Sequence, residues 1–84
     1  DQLELPNLKH GGRENPVVAL MYTLDTIFDD GKPTPTPRYD RSALLHDDTV
    51  KGPAIVTQHN STTIVPPGHV ATVLRHGDIR IVRV

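Results

Sequence analysis

The chain has no cysteine and no tryptophan. Without cysteine there is no disulfide framework, no thiolate zinc site and no cysteine nucleophile. Aromatic side chains are limited to Tyr22, Phe28 and Tyr39, so a core has to be assembled mainly from Val, Ile, Leu and Ala, which bury less area apiece. At 84 residues there is room for one domain, and a domain of that size buries a modest share of its surface. The stability margin is therefore small, which makes a permanent partner plausible. Excess charge is missing too: nine Lys and Arg stand against ten Asp and Glu, so no field exists to gather nucleic acid. No apolar run reaches membrane-spanning length, and the N-terminus lacks the basic-then-apolar order of a secretion signal. A soluble cytoplasmic protein, with no membrane or nucleic-acid partner, is the expectation.

What is present reads as strands punctuated by turns. Residues 1–15 are polar, contain Pro6 and the Gly11-Gly12 pair, and have no sustained period, which predicts an extended arm lying on another surface. Pro16 to Phe28 includes the apolar stretch Val17-Val18-Ala19-Leu20-Met21-Tyr22-Thr23-Leu24, expected as a buried strand. Pro33, Pro35 and Pro37 alternate with Thr, lack three ladder donors and are preset toward polyproline II, which predicts a stiff connector. Further along, Ala54 to Gln58 and Ser61 to Val65 read as strands joined by a His59-Asn60 turn, and Pro66-Pro67-Gly68 ends the second. Val70 to Val84 reads as a hairpin around His76-Gly77-Asp78. A single helical turn, capped by Ser42, is expected within Ser42 to Asp47. The predicted fold is mainly β: a small strand-rich sandwich or open barrel of five or six strands with an extended N-terminal arm. It divides into the arm (1–15), a strand plus Thr/Pro connector (16–37) and a β domain (38–84).

Few residue groups offer chemistry. His59 beside Ser61, Thr62 and Thr63 places a base near hydroxyls, but no third orienting group or oxyanion donor is identifiable, and strand hydroxyls ordinarily pair across a sheet. His46-Asp47-Asp48 is the densest set of ligand-type side chains, with His10, His59, His69 and His76 elsewhere. No paired zinc spacing occurs, so solvated loop groups are the simpler reading, with a site shared with another chain as the alternative. Arg75, Arg80 and Arg83 suggest an anion clamp, yet Arg80 and Arg83 fall on opposite faces of a regular strand, which favours edge protection or intersubunit pairing. Gly52-Pro53 and Pro66-Pro67-Gly68 are read as turn chemistry rather than ligand approach. No glycine-rich phosphate loop or dinucleotide fingerprint is present. Accordingly no catalytic, cofactor-binding or metal-ligating residue is assigned.

One ordered pattern is more specific than its parts. Tyr39-Asp40-Arg41-Ser42, then Gly52-Pro53-Ala54-Ile55-Val56, then Ser61-Thr62-Thr63-Ile64-Val65-Pro66-Pro67-Gly68 resembles the C-terminal domain of large hydantoinase A/oxoprolinase-type subunits. These occur in ATP-dependent hydantoinases, oxoprolinases and ketone carboxylases, and the resemblance covers Arg38 to about Leu74. It implies a noncatalytic structural subunit completing a hydantoinase A-like large subunit, with hydantoinase A-like and hydantoinase B-like polypeptides as partners of a hetero-oligomer. The division of a large subunit among several chains is similar to that of acetophenone-type carboxylases, biotin-independent ligases that form C–C bonds. ATP and magnesium would then be bound by the partner subunits, and none by this chain. The alternatives are an acetone carboxylase-type subunit, which the cysteine-free composition fits less well, a subunit of a hydantoinase/oxoprolinase-type hydrolase, a free-standing β-rich binding module and, least favoured, an independent hydrolase using His59 and Ser61. If the arm and Thr/Pro segment dock on a large subunit, their interface would exceed about 2,000 Å², and deleting residues before Pro16 would weaken assembly while sparing the β fold.

Overall fold

The computed structural model describes residues 9–84. Seven strands run in chain order: β1 (Leu20–Ile27), β2 (Pro33–Asp40), β3 (Thr49–Lys51), β4 (Ala54–Gln58), β5 (Ser61–Val65), β6 (His69–Val73) and β7 (Ile79–Arg83). They form a four-stranded sheet in the order β1-β2-β4-β5 and a three-stranded sheet in the order β3-β6-β7. Every pairing is antiparallel except β2 with β4, which run parallel from Arg38 opposite Ile55 to Asp40 opposite Thr57. The mainly β, sandwich-like expectation is met. Among the described residues no helix is long and apolar enough to cross a membrane.

Alternation of side chains builds the core between the sheets. Ala54 and Val56 of β4 and Val65 of β5 meet Val50 of β3 and Ala71 and Val73 of β6, with Tyr39, Leu44 and Ala19 completing the cluster. Most of these side chains are small, so the core is as modest as the composition implied. Tyr39 is the one buried aromatic, and burial pushes its phenol pKa up. The β4–β5 hairpin and the β6–β7 hairpin occupy the segments expected of them. His59 turns the first with a positive φ of 51°. Before Val65, however, β5 is largely exposed.

Three expectations are corrected. The Val17–Leu24 stretch is not a buried strand: Val17–Ala19 is a 3₁₀ turn, and β1 after it is exposed along nearly its whole length. Hydrophobicity alone does not bury a strand that lies at a sheet edge without a covering layer. The Thr/Pro segment is not a connector but β2, paired with β1 from Pro33 opposite Ile27 to Tyr39 opposite Leu20. Donors of alternate residues point to the same side of a strand, so Pro33, Pro35 and Pro37 deplete one edge and leave Thr34, Thr36 and Arg38 to serve β1. The single turn spans Arg41–Ala43 and its cap is Asp40, whose carboxylate accepts from the Ser42 amide; Ser42 lies inside the turn.

The predicted arm is extended, but what is described of it lies on its own domain; its first eight residues fall outside the described residues. His10 and Glu14 form parallel bridges with His46 and Thr49. Backbone hydrogen bonds run both ways, from Gly11 N to His46 O (2.8 Å), His46 N to Lys9 O (2.9 Å), Thr49 N to Arg13 O (2.8 Å) and Asn15 N to Thr49 O (2.7 Å). Residues 9–12 thus pair with the loop before β3 at His46, and residues 13–15 border the outer edge of β3 itself. A segment needs no apolar period to dock when its backbone can pair and one side chain can be captured.

Candidate functional site

That capture is by Asp48. Its side chain is fully buried, and its Oδ1 accepts from Arg13 N (3.0 Å) and Arg13 Nε (3.1 Å) while Oδ2 accepts from Arg13 Nη2 (2.6 Å) and Leu45 N (2.7 Å). Burial pushes the carboxyl up, but the Arg13 guanidinium and the Leu45 and Arg13 amides outweigh it and hold it below the usual carboxylate range. Hydrogen bonding to Asp48 in turn raises Arg13, whose Nη2 also donates to Ala43 O (3.3 Å). Gly11 makes the approach possible, since a Cβ there would run into the Asp48 carboxylate and Leu45 Cβ. Asp48 is therefore not the solvated loop group expected of it. Its partner is 35 residues away, beyond any local pattern; the Gly11-Gly12 pair was the only sequence sign of a close approach.

Above this anchor, Asp47 adopts a left-handed φ of 69° and lies between two imidazoles. His10 Nε2 is 3.1 Å from its Oδ2 and His46 Nε2 is 3.3 Å from its Oδ1. The two rings meet edge to face at 5.7 Å. These are hydrogen-bond separations, and among the described residues no group of three or more His, Asp or Glu is arranged to hold a metal ion. His69 instead approaches Pro67 O through Nδ1 (3.1 Å), and His76 borders a shallow groove with Arg41, Ser42 and Gln58.

The remaining candidates are separated by the sheet. Ser61 opposes Gln58 and Thr62 opposes Thr57, while among the described residues no hydrogen bond joins Ser61 to His59. His59 shares a groove with Asp40 and Ser42, but there the serine donates to the carboxylate, Ser42 Oγ to Asp40 Oδ1 at 2.7 Å. The same Asp40 oxygen also accepts from Ser42 N (2.9 Å) as the cap of the 3₁₀ turn, so this pair serves the turn, and among the described residues no hydrogen bond brings a third group to orient it for catalysis. The Ser42 hydroxyl, with the Ser42 amide, lowers the Asp40 pKa. Arg80 opposes Thr72 and Arg83 opposes His69 on the edge strand β7, and Arg75 lies in the preceding loop, so the three do not form a clamp on one face.

The Gly52-Pro53 and Pro66-Pro67-Gly68 pieces meet each other. A Cβ on Gly52 would strike the Pro66 carbonyl, and Gly52 N donates to His69 O (2.8 Å). Gly52 admits close backbone approach as glycine can, but to the Pro66-Pro67-Gly68 turn of its own domain. The signature in the sequence is thus a crossing of two backbone segments between sheets.

What the domain offers outward is apolar surface. Val17 (79% exposed), Val18 (70%), Leu24 (54%) and Ile27 (67%) stand along or beside β1, with Leu20, Met21 and Tyr22 also exposed. Arg38 lies over the Tyr22 ring at 5.7 Å. A smaller exposed set, Ile81, Val82 and Val84, follows β7. Runs of this kind mark interaction surfaces more often than solvent-facing strands.

No protein-family model matches the sequence, and no curated protein matches it at a significant level. Among solved structures the chain is similar to one described as acetone carboxylase in a nucleotide-free state, from work on the mechanism of ATP-dependent acetone carboxylation. The superposition has a TM-score of 0.85 at 21% sequence identity, and covers 96% of this chain and 11% of that chain. The two share a fold, and this chain spans about a ninth of the longer polypeptide's length.

Proposed function

We propose that this chain is a noncatalytic β-rich structural component of an ATP-dependent, biotin-independent ketone carboxylase, completing a hydantoinase A-like large subunit. The observation that carries the reading is the correspondence of nearly the entire chain to a segment of acetone carboxylase, joined to the ordered Tyr-Asp-Arg, Gly-Pro-Ala-Ile and Pro-Pro-Gly pieces. An acetophenone-type enzyme, in which such a segment is a separate small chain, is the specific form we favour over a hydantoinase or oxoprolinase. ATP and magnesium belong to hydantoinase A-like and B-like partners on this reading. The buried Asp48 carboxylate, with its four hydrogen bonds, is consumed in holding residues 9–15 to the domain, Gly11 makes room for it, and Gly52 serves a backbone crossing.

The test is to retrieve the chain from its native source through an affinity tag. Large partner polypeptides should accompany it, and the recovered material should fix labelled bicarbonate into acetophenone or acetone only with ATP and magnesium. The isolated chain should give no binding heat with magnesium and ATP. Micromolar ATP binding by the isolated chain, or recovery of a species without ATP-dependent carboxylation, refutes the assignment.

A further inference from the structure

Four strands lie at sheet edges, and three of them carry features that discourage pairing with another chain. β3 is bordered by residues 14 and 15, through the Glu14 bridge and the Asn15 hydrogen bonds to Thr49 and Lys51. β5 is short, polar through Ser61-Thr62-Thr63, and closed by Pro66-Pro67. β7 carries Arg80 and Arg83. β1 differs on every count: it has eight residues, no proline, one charged side chain in Asp25, and a run of exposed apolar residues. No described residue pairs with its outer side.

We propose that β1 pairs antiparallel with β1 of a second copy of this chain, about a two-fold axis at Leu24, joining two four-stranded sheets into one continuous sheet. The occupant is argued from the strand's self-complementarity. β2 offers donors at Thr34, Thr36 and Arg38, opposite Thr26, Leu24 and Tyr22, so those β1 residues turn their backbone groups inward and Thr23, Asp25 and Ile27 turn theirs outward. An axis at Leu24 sets Thr23 against the partner's Asp25 as a hydrogen-bonded pair. Tyr22 then faces the partner's Thr26, and Met21 its Ile27. Each Asp25 meets a threonine and no carboxylate, whereas an axis one residue later would set Asp25 against itself, a destabilising like-charge pair. The acidic turns at Asp29 and Asp30 lie at opposite ends of the antiparallel ribbon, also apart. The irregularity between Leu20 and Tyr22 ends the regular ladder at one side. The pairing rests on edge geometry and does not depend on the carboxylase reading.

An interface of one strand falls at the small end of specific contacts, so dimerisation with a Kd of roughly 10–100 µM is expected. Sedimentation of the full chain from about 1 µM to about 1 mM should show a monomer–dimer equilibrium in that range. The absence of native cysteine permits a register test. Across the axis two Leu24 residues form a non-hydrogen-bonded pair with Cα atoms about 4.5 Å apart, within disulfide range. Leu24→Cys should therefore oxidise readily to a covalent dimer, and Ile27→Cys, which faces Met21 of the second copy, should not. Thr23→Pro removes an outward donor from an edge position that tolerates proline, and should abolish the dimer with an unchanged circular dichroism spectrum. Thr23→Lys, facing Asp25 twice, should tighten it roughly two- to thirtyfold. A chain that stays monomeric to about 1 mM overturns the proposal, whether the edge is open or taken by another polypeptide. So does a dimer in which cysteines at 24 and 27 crosslink equally fast.

Discussion

Replacing Asp48 by alanine should cost this domain about 3 kcal/mol. The carboxylate accepts four hydrogen bonds, from the Arg13 amide, Arg13 Nε and Nη2, and the Leu45 amide, and the side chain has no exposed surface. Breaking a buried pair by removing one partner costs about 3–5 kcal/mol. The lower end applies because the Arg13 side chain is about one-third exposed and regains water. The two backbone amides, in half-buried positions, do so less readily. A domain of this length has a stability of roughly 4–13 kcal/mol, so the loss is a large fraction of the whole. Urea unfolding followed by circular dichroism should show it, and thermal scans should register a Tm lower by roughly 12–24 °C. Because Asp48 is held below the usual carboxylate range in the folded chain, its contribution is fully present above its unfolded value of about 3.9. It is lost as pH falls through the lower folded value, where the unfolded state binds more protons. Asp48→Asn should therefore flatten the acid limb of stability against pH. A loss below about 1 kcal/mol for the alanine variant, or an unchanged acid limb for the asparagine variant, refutes the role given to this residue.

Two glycine substitutions should separate steric from conformational cost. Gly52→Ala forces a Cβ into the Pro66 carbonyl and should destabilise by about 3 kcal/mol or more in the same urea assay. Gly68→Ala, at φ +80° with open space around it, should lose only about 1–2 kcal/mol. Deleting residues 1–15 removes Arg13 and uncovers β3, so the fold itself should weaken, with Tm falling by roughly 10 °C or more; an unchanged Tm would restore the view of an arm that lies on another surface and contributes nothing to its own domain.

The strand character of Ala54–Gln58, Ser61–Val65 and the terminal hairpin was legible because β-branched runs and their Gly and Pro boundaries are local signals. The Gly52 and Pro66 pieces were recognisable as a unit in the sequence, but that they touch each other is a fact of the fold. Local chemistry also fixed which edge of β2 can donate, since alternate prolines deplete one side only. Whether Pro33–Asp40 is a strand at all depended on β1 lying beside it, and pairing overrode the preset extended conformation of an isolated segment. In the same way the apolar character of Val17–Leu24 was legible, while the 3₁₀ turn over Val17–Ala19 was not, and the exposure of β1 follows from its place at the edge of a sheet. Asp48 illustrates the limit most plainly. Its charge and its loop are written in the sequence, whereas its burial depends on Arg13, 35 residues earlier, and a carboxylate's environment is set by what the chain brings to it in space.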